Sequence, residues 1–174
     1  MKKILLTLFI TFSLTGCISA ILGSGYFISD NYDEFEQTRT IREHINHVYS
    51  QPFPFTASFY MNMILIVPTK ADALLGGLQV KYMNNSWLFI PEGNSLKFIA
   101  DGEVIPLYAA HQSSRIVGYG GHVTELAYYN IDRNTALKIS NAKILKAKVH
   151  VVDFPVSPKI QERWRIFIET HWPE

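Results

Sequence analysis

The chain has 174 residues, 16 basic and 15 acidic side chains, and 48% apolar residues. That length suits one domain, and that apolar share suits a packed core and not a disordered tail. The near-zero charge argues against a nucleic-acid partner, which needs a basic field, and against electrostatic docking to anionic lipid.

The chain opens with Lys2 and Lys3, then an apolar run from Ile4 to Leu14, then the small residues Thr15 and Gly16. These are the three parts of a secretory leader. Cys17, the sole cysteine, follows them. The quartet Leu14-Thr15-Gly16-Cys17 resembles the lipobox of bacterial lipoproteins at every position. The resemblance implies cleavage before Cys17, a diacylglycerol in thioether linkage on its sulfur, and acylation of the new amino end. Residues 1–16 are then a signal peptide, 17–29 a lipid anchor and tether, and 30–174 a single domain. Two or more acyl chains hold a protein stably to a membrane where one holds it only marginally. Because Ile18 and not an acidic residue follows Cys17, the resemblance implies sorting to an outer membrane, facing the periplasm, where the cell has one.

Two other readings stay open. No charge falls between Lys3 and Asp30, so the leader is long enough to be an uncleaved membrane span of about 20 residues. Gly16, Ser19, Gly23, Ser24 and Gly25 make its second half a poor helix. Simple secretion, with Cys17 an ordinary residue, is the other. Acylation of the only thiol excludes a disulfide, a cysteine nucleophile, zinc–thiolate sites and iron–sulfur clusters.

Asp30 to Glu36 is acidic and is expected to begin the folded part. Thr40 and Ile41 favour a strand, with Arg42 to Tyr49 a candidate short helix. From Phe55 to Val67 the odd positions are all apolar while Thr56, Ser58, Tyr60 and Asn62 alternate with them. This is the period of a strand with one buried face. Ile64 and Ile66 predict cover on both faces at its far end. Gly76-Gly77 predicts a turn or bulge, Leu78 to Tyr82 a second strand, and Trp87 to Ile90 a third.

Asp101-Gly102 predicts a type I′ turn between strands at Ser95–Ala100 and Glu103–Ala109. Pro106 predicts an edge strand or bulge. Arg115 to Val117 and Val123 to Ile131 are further strands, separated by a glycine-rich bend. Asp132 is the expected N-cap of a helix over Arg133 to Asn141. Lys143 to Val152 alternates as a strand. Ser157 and Pro158 begin a last helix whose Ile160, Trp164, Phe167 and Ile168 share one face, Trp164 packing on the sheet. The expected fold is α+β, a mostly antiparallel sheet with two late helices packed on one face. Size, leader and strand-rich layout also resemble small envelope lipoproteins of uncharacterised function, a likeness that supplies no active residues.

Few residues carry a chemical signal. His44 and His47 would share a helix face with Glu43 nearby, and neutral imidazoles bind zinc. No third ligand is evident, and His111 and His122 could join only by folding, so no metal and no cofactor is expected. Glu125 shares a strand face with Val123, Ala127, Tyr129 and Ile131. A carboxylate there must be marginal or buried and paired, with Arg39, Arg42 or Arg115 as partner. We read it as an ion pair fixing register; the alternative is a catalytic carboxylate with a shifted pKa. Gly118-Tyr119-Gly120-Gly121 lacks the ending of a phosphate loop. Tyr119, Tyr128 and Trp87 are aromatics able to stack on a sugar or peptide, or else to serve as core or cross-strand pairs.

The expected function is a non-enzymatic binding or structural module. It is joined to membrane lipid through Cys17 and contacts an envelope protein or a cell-wall component, with no nucleic-acid partner. The alternatives are an envelope hydrolase using Glu125 or histidines, favoured by a cleft where they converge, and a carrier of a small apolar ligand, favoured by a lined cavity. An exposed apolar patch or open sheet edge favours the first reading.

Overall fold

The computed structural model describes residues 25–44, 46–51, 57–69, 74–109 and 114–173. The leader, Cys17 and His111 lie outside them. In chain order the elements are β1 (Phe27–Asp33), β2 (Thr38–His44), β3 (His47–Ser50), β4 (Ser58–Pro68), β5 (Leu75–Asn84), β6 (Leu96–Ala100), β7 (Glu103–Leu107), β8 (Ser114–Val117) and β9 (Val123–Asn130). Then come α1 (Arg133–Asn141), β10 (Leu145–Val149), β11 (Val152–Pro155) and α2 (Pro158–His171). The fold is α+β with antiparallel sheets and two late helices, as the sequence pattern implies.

The strands divide between two sheets. The larger runs β1-β2-β4-β5-β9-β8, with β3 also on β4; the smaller runs β11-β10-β6-β7. In β4 the alternation holds: Phe59, Met61, Met63 and Leu65 are buried. Ile64 is covered on the other face, but Ile66 is exposed, so double cover stops one pair short of the expected end. Leu78, Val80 and Tyr82 carry the same buried face into β5. One core joins both sheets and both helices. Trp164 is fully buried there, its indole N–H 3.4 Å from the Met61 carbonyl and its ring edge-on to Phe98. Phe154 of the small sheet packs on Phe59 and stacks on Tyr49 of the large one.

The helices run antiparallel, pinned at both ends. Asp132 caps α1 by accepting from the Thr135 N–H. Gln161, near the start of α2, donates to the Ala142 carbonyl just past the end of α1. Arg133 donates to the Trp172 carbonyl at the opposite end. Ile160, Trp164, Phe167 and Ile168 are buried as expected, but Arg163 is buried with them. Asp101 and Gly102 have positive φ, as a type I′ turn demands. β7, with Pro106, is an edge strand.

Five further expectations are corrected. Arg42 to Tyr49 is not helical: β2 and β3 lie end to end along β4, opposite Pro68 to Ile64 and Tyr60 to Ser58. Thr40, Arg42 and His44 alternate with Ile41 and Glu43, and that period fits the free edge of β4. The first strand begins at Phe27, so residues 27–29 of the expected tether belong to the sheet. Trp87 to Ile90 is no strand. Lys143 to Val152 is two strands, split at His150 with φ +53°.

Gly76 and Gly77 lie inside β5, not in a turn. A Cβ on Gly76 would stand 1.9 Å from the Trp172 ring and 2.6 Å from the Ile131 carbonyl. Glycine is there so that Trp172 can lie on the strand. Gly76→Ala should therefore lower stability by about 1–3 kcal/mol through overpacking. Urea denaturation checks this; an unchanged midpoint would contradict the packing account.

Candidate functional site

Glu125 lies on the core face of β9 and is fully buried. Its Oε1 accepts from the backbone N–H groups of Leu88 (2.5 Å) and Phe89 (2.8 Å), and its Oε2 from that of Ile90 (2.9 Å). Arg115, opposite it in β8, brings Nε to 3.5 Å. Three consecutive N–H groups can point at one carboxylate only if the backbone curls, and Phe89 has φ +56°. Such a nest is an anion site made of main chain. A left-handed phenylalanine costs about 1–3 kcal/mol, and hydrogen bonds to a charged group return about 1.5–3 kcal/mol each, so the curl is stable. The Arg115 guanidinium also lies over the Phe89 ring at 5.4 Å.

Of the three arginines considered as partners, Arg115 is the one that pairs; Arg39 pairs with Asp30. The larger partner is main chain. Both oxygens of Glu125 are engaged, which suits a structural clasp better than a base or nucleophile.

His44 and His47 are not on a helix and have different partners. The His44 ring stacks on Phe27 at 4.3 Å and its Nε2 lies 2.8 Å from the Ser29 hydroxyl. His47 bonds to Ser50 and meets the Tyr60 ring edge-on. Among the described residues no group of three His, Cys, Asp or Glu side chains is placed to hold a metal ion. Also among them, no helix is long and apolar enough to cross a membrane.

A second buried carboxylate, Glu43, enters the sequence reading only as a neighbour of His44 and His47. Glu43 is fully buried on the Ile41 face of β2. It accepts from the Tyr26 hydroxyl and from the Met63 N–H, each at 2.8 Å. Arg163 of α2 lies over the Tyr26 ring at 4.5 Å and donates to Asn46 Oδ1 at 3.0 Å. Burial pushes Glu43 up to about 7, against the opposing pull of Met63, Tyr26, Asn46 and Arg163. Burial, then the Glu43 charge, also raises the Tyr26 phenol. The signal for this cluster was the two-residue period that sets Glu43 beside Ile41.

On the other face of the sheet Asn62 accepts from the Asn46 N–H, and Gln79 links Asn62 to Tyr128. Tyr128 is thus tied into a hydrogen-bond ladder, while Tyr119 is fully exposed. At the sheet margin all four residues of β8 are exposed, Ile116 and Val117 included, and Phe89 is exposed beside them. No known protein family, curated protein or solved structure matches the chain.

Two measurements test this geometry. Glu125→Gln replaces an acceptor oxygen by an amide that faces N–H groups. It should cost about 2–4 kcal/mol and speed amide exchange at Leu88 to Ile90; equal urea midpoints would refute the clasp. Glu43 has the opposite pH sign to a salt-bridged acid. Its folded pKa is about 7 against an ordinary 4.5, so the folded state holds the extra proton between those values. Stability should fall as pH rises from about 4.5 to 7 and level off above, by up to about 3 kcal/mol from this group. Subtracting the Glu43→Gln stability curve from that of the wild type isolates the effect; parallel curves would contradict it.

Proposed function

We propose that the chain is a lipid-anchored envelope module that works by binding, with β8 as its contact edge. The observation that carries the reading is the state of that edge. An edge strand offers unpaired N–H and C=O groups, and proteins blunt such edges with proline, charge or a covering element. Acidic Asp30 and Asp33 lie on β1, Pro106 on β7 and Pro155 on β11. β8 carries Ile116 and Val117, and its one charge, Arg115, is turned to Glu125. An extended segment of an envelope partner could add to such an edge by main-chain pairing.

Two facts weigh against the alternatives. The hydrolase reading needs Glu125 or histidines; the oxygens of Glu125 are held by three N–H groups, and His44 and His47 are engaged by separate partners. The carrier reading needs space between the sheets and helices, and Trp164, Phe167, Phe98 and Phe154 fill it.

The anchor and the edge are tested separately. The membrane-extracted protein should have the mass of a chain starting at acylated Cys17, and Cys17→Ser should release it from the membrane fraction. A photo-crosslinking residue at Val117 should give one discrete adduct in intact cells, where the same residue at Val104 of β7 gives none. An unlipidated mature mass would remove the anchor, and equal labelling from both positions would remove the edge.

A further inference from the structure

The face of the large sheet turned away from the core carries a groove along β1 and β2. Its lining includes Ser29, Asn31, Thr40, Arg42 and His44. Register puts Arg42 directly across from Ser29, and Thr40 across from Asn31, on one face. The position of Arg42 is unusual. Its side chain makes no ion pair and no hydrogen bond with any described residue, and its Nε is shut off from solvent without an acceptor. A buried guanidinium nitrogen ordinarily has one, because leaving it bare costs the full desolvation of that group.

Its neighbours add donors and no acceptor charge. His44 is held by Phe27 stacking and by Ser29. Burial, then the Arg42 charge, holds its imidazole below the usual value. When Nε2 carries the proton and donates to the Ser29 oxygen, the Ser29 hydrogen is left to donate into the groove. The acids that also line the groove, Asp33 and Glu34, stand at its other end. Asp33, across from Thr38, is four residues along the ladder from the Ser29–Arg42 pair, roughly 13 Å at the rise of a strand, which exceeds a Debye length at physiological salt. It is two residues from Thr40, roughly 7 Å. Asp33 also spends Oδ1 on the N–H groups of Phe35 and Glu36.

We propose that this end of the groove binds a phosphate group, with the Arg42 guanidinium as its fork and the hydroxyls of Ser29 and Thr40 as further donors. A planar guanidinium matches two oxygens of a phosphate at once, and the terminal nitrogens of Arg42, which unlike its Nε are not buried, supply that fork. The charge is local, so a chain of nearly zero net charge can still hold an anion here. The inference does not depend on β8 or on the anchor. Two sources present the same chemistry: phosphate or a phosphomonoester in solution, and the headgroup of a phospholipid.

The test uses the full chain in maltoside micelles, which contain no phosphate. Inorganic phosphate and, separately, short-chain phosphatidic acid are titrated while NMR follows the Arg42 Nε–H and the backbone amides of Ser29, Thr40 and His44. Saturable shifts in the wild type are expected. Arg42→Gln should weaken binding at least about tenfold, the worth of one charge-assisted hydrogen bond. Arg42→Lys, which keeps charge without the fork, should fall between, and Arg39→Gln on the opposite face should change nothing. Saturation by both probes supports the proposal with either source. Saturation by phosphate alone supports it and makes the free ion the source; saturation by phosphatidic acid alone supports it and makes the headgroup the source. No saturable shift with either probe, or equal affinity in Arg42→Gln, overturns it.

Discussion

The contact on which the two sheets depend is the buried carboxylate of Glu125 and its three main-chain donors. Residues 85–95 carry the chain from the large sheet to the small one without regular structure. Buried N–H groups in such a passage must find an acceptor. Glu125 supplies it for Leu88, Phe89 and Ile90 together, and Ile90 then enters the core at 1% exposure. The dependence runs both ways. A bare carboxylate inside a core costs several kcal/mol, and only a loop curled at Phe89 brings enough donors to offset it. Contacts between the sheets, such as Phe154 on Phe59 and Tyr49, lie downstream of this placement.

Glu43 shows what a buried carboxylate does with fewer donors. It has one main-chain N–H and one phenol, and burial outweighs them, so the neutral form is favoured up to about neutrality. Its contribution is connection. Through Tyr26, Met63 and the nearby Arg163 and Asn46 it joins the start of the domain, β4, the break between β2 and β3, and α2. Polar ties of this kind, and not covalent ones, supplement the core, because the chain has one cysteine and therefore no disulfide of its own.

Legibility in the sequence followed the range of the interaction. Local chemistry was plain: the period-two face of β4, the Asp101-Gly102 turn, the Asp132 cap and the apolar face of α2 all stand where the residues put them. Long-range choices were not. Leu88 to Ile90 reads as a strand by composition, and only a carboxylate 35 residues or more away makes a left-handed phenylalanine stable. Gly76 reads as a turn until Trp172, from the other end of the chain, is laid across it. Glu125 was recognisable as a buried and paired acid, and Arg115 was among its possible partners, but main-chain donors have no sequence signature. The burial of Glu43 is hidden while its neighbours His44 and His47 are read as helical, whereas the alternation of Thr40, Ile41, Arg42, Glu43 and His44 describes a strand.

Under the anchored reading, attachment and reach are set at one place. Between Cys17 and Phe27 lie ten residue steps, which extended span at most roughly 35 Å. Any pull from the membrane therefore arrives at the first described contacts. These lie at the entry to β1: Tyr26, just before the strand, is tied inward to Glu43, while Phe27, its first residue, stacks outward on His44. Farther along, Asp30 is held by Arg39. An edge strand bonded only by its ladder would peel from its free end one pair at a time. Here the first pair is backed by a buried hydrogen bond and an aromatic stack, so peeling has to break the Glu43 cluster before it gains any length. That cluster reaches α2 through Arg163, and so force entering at the edge of the sheet is passed to the helix at its core.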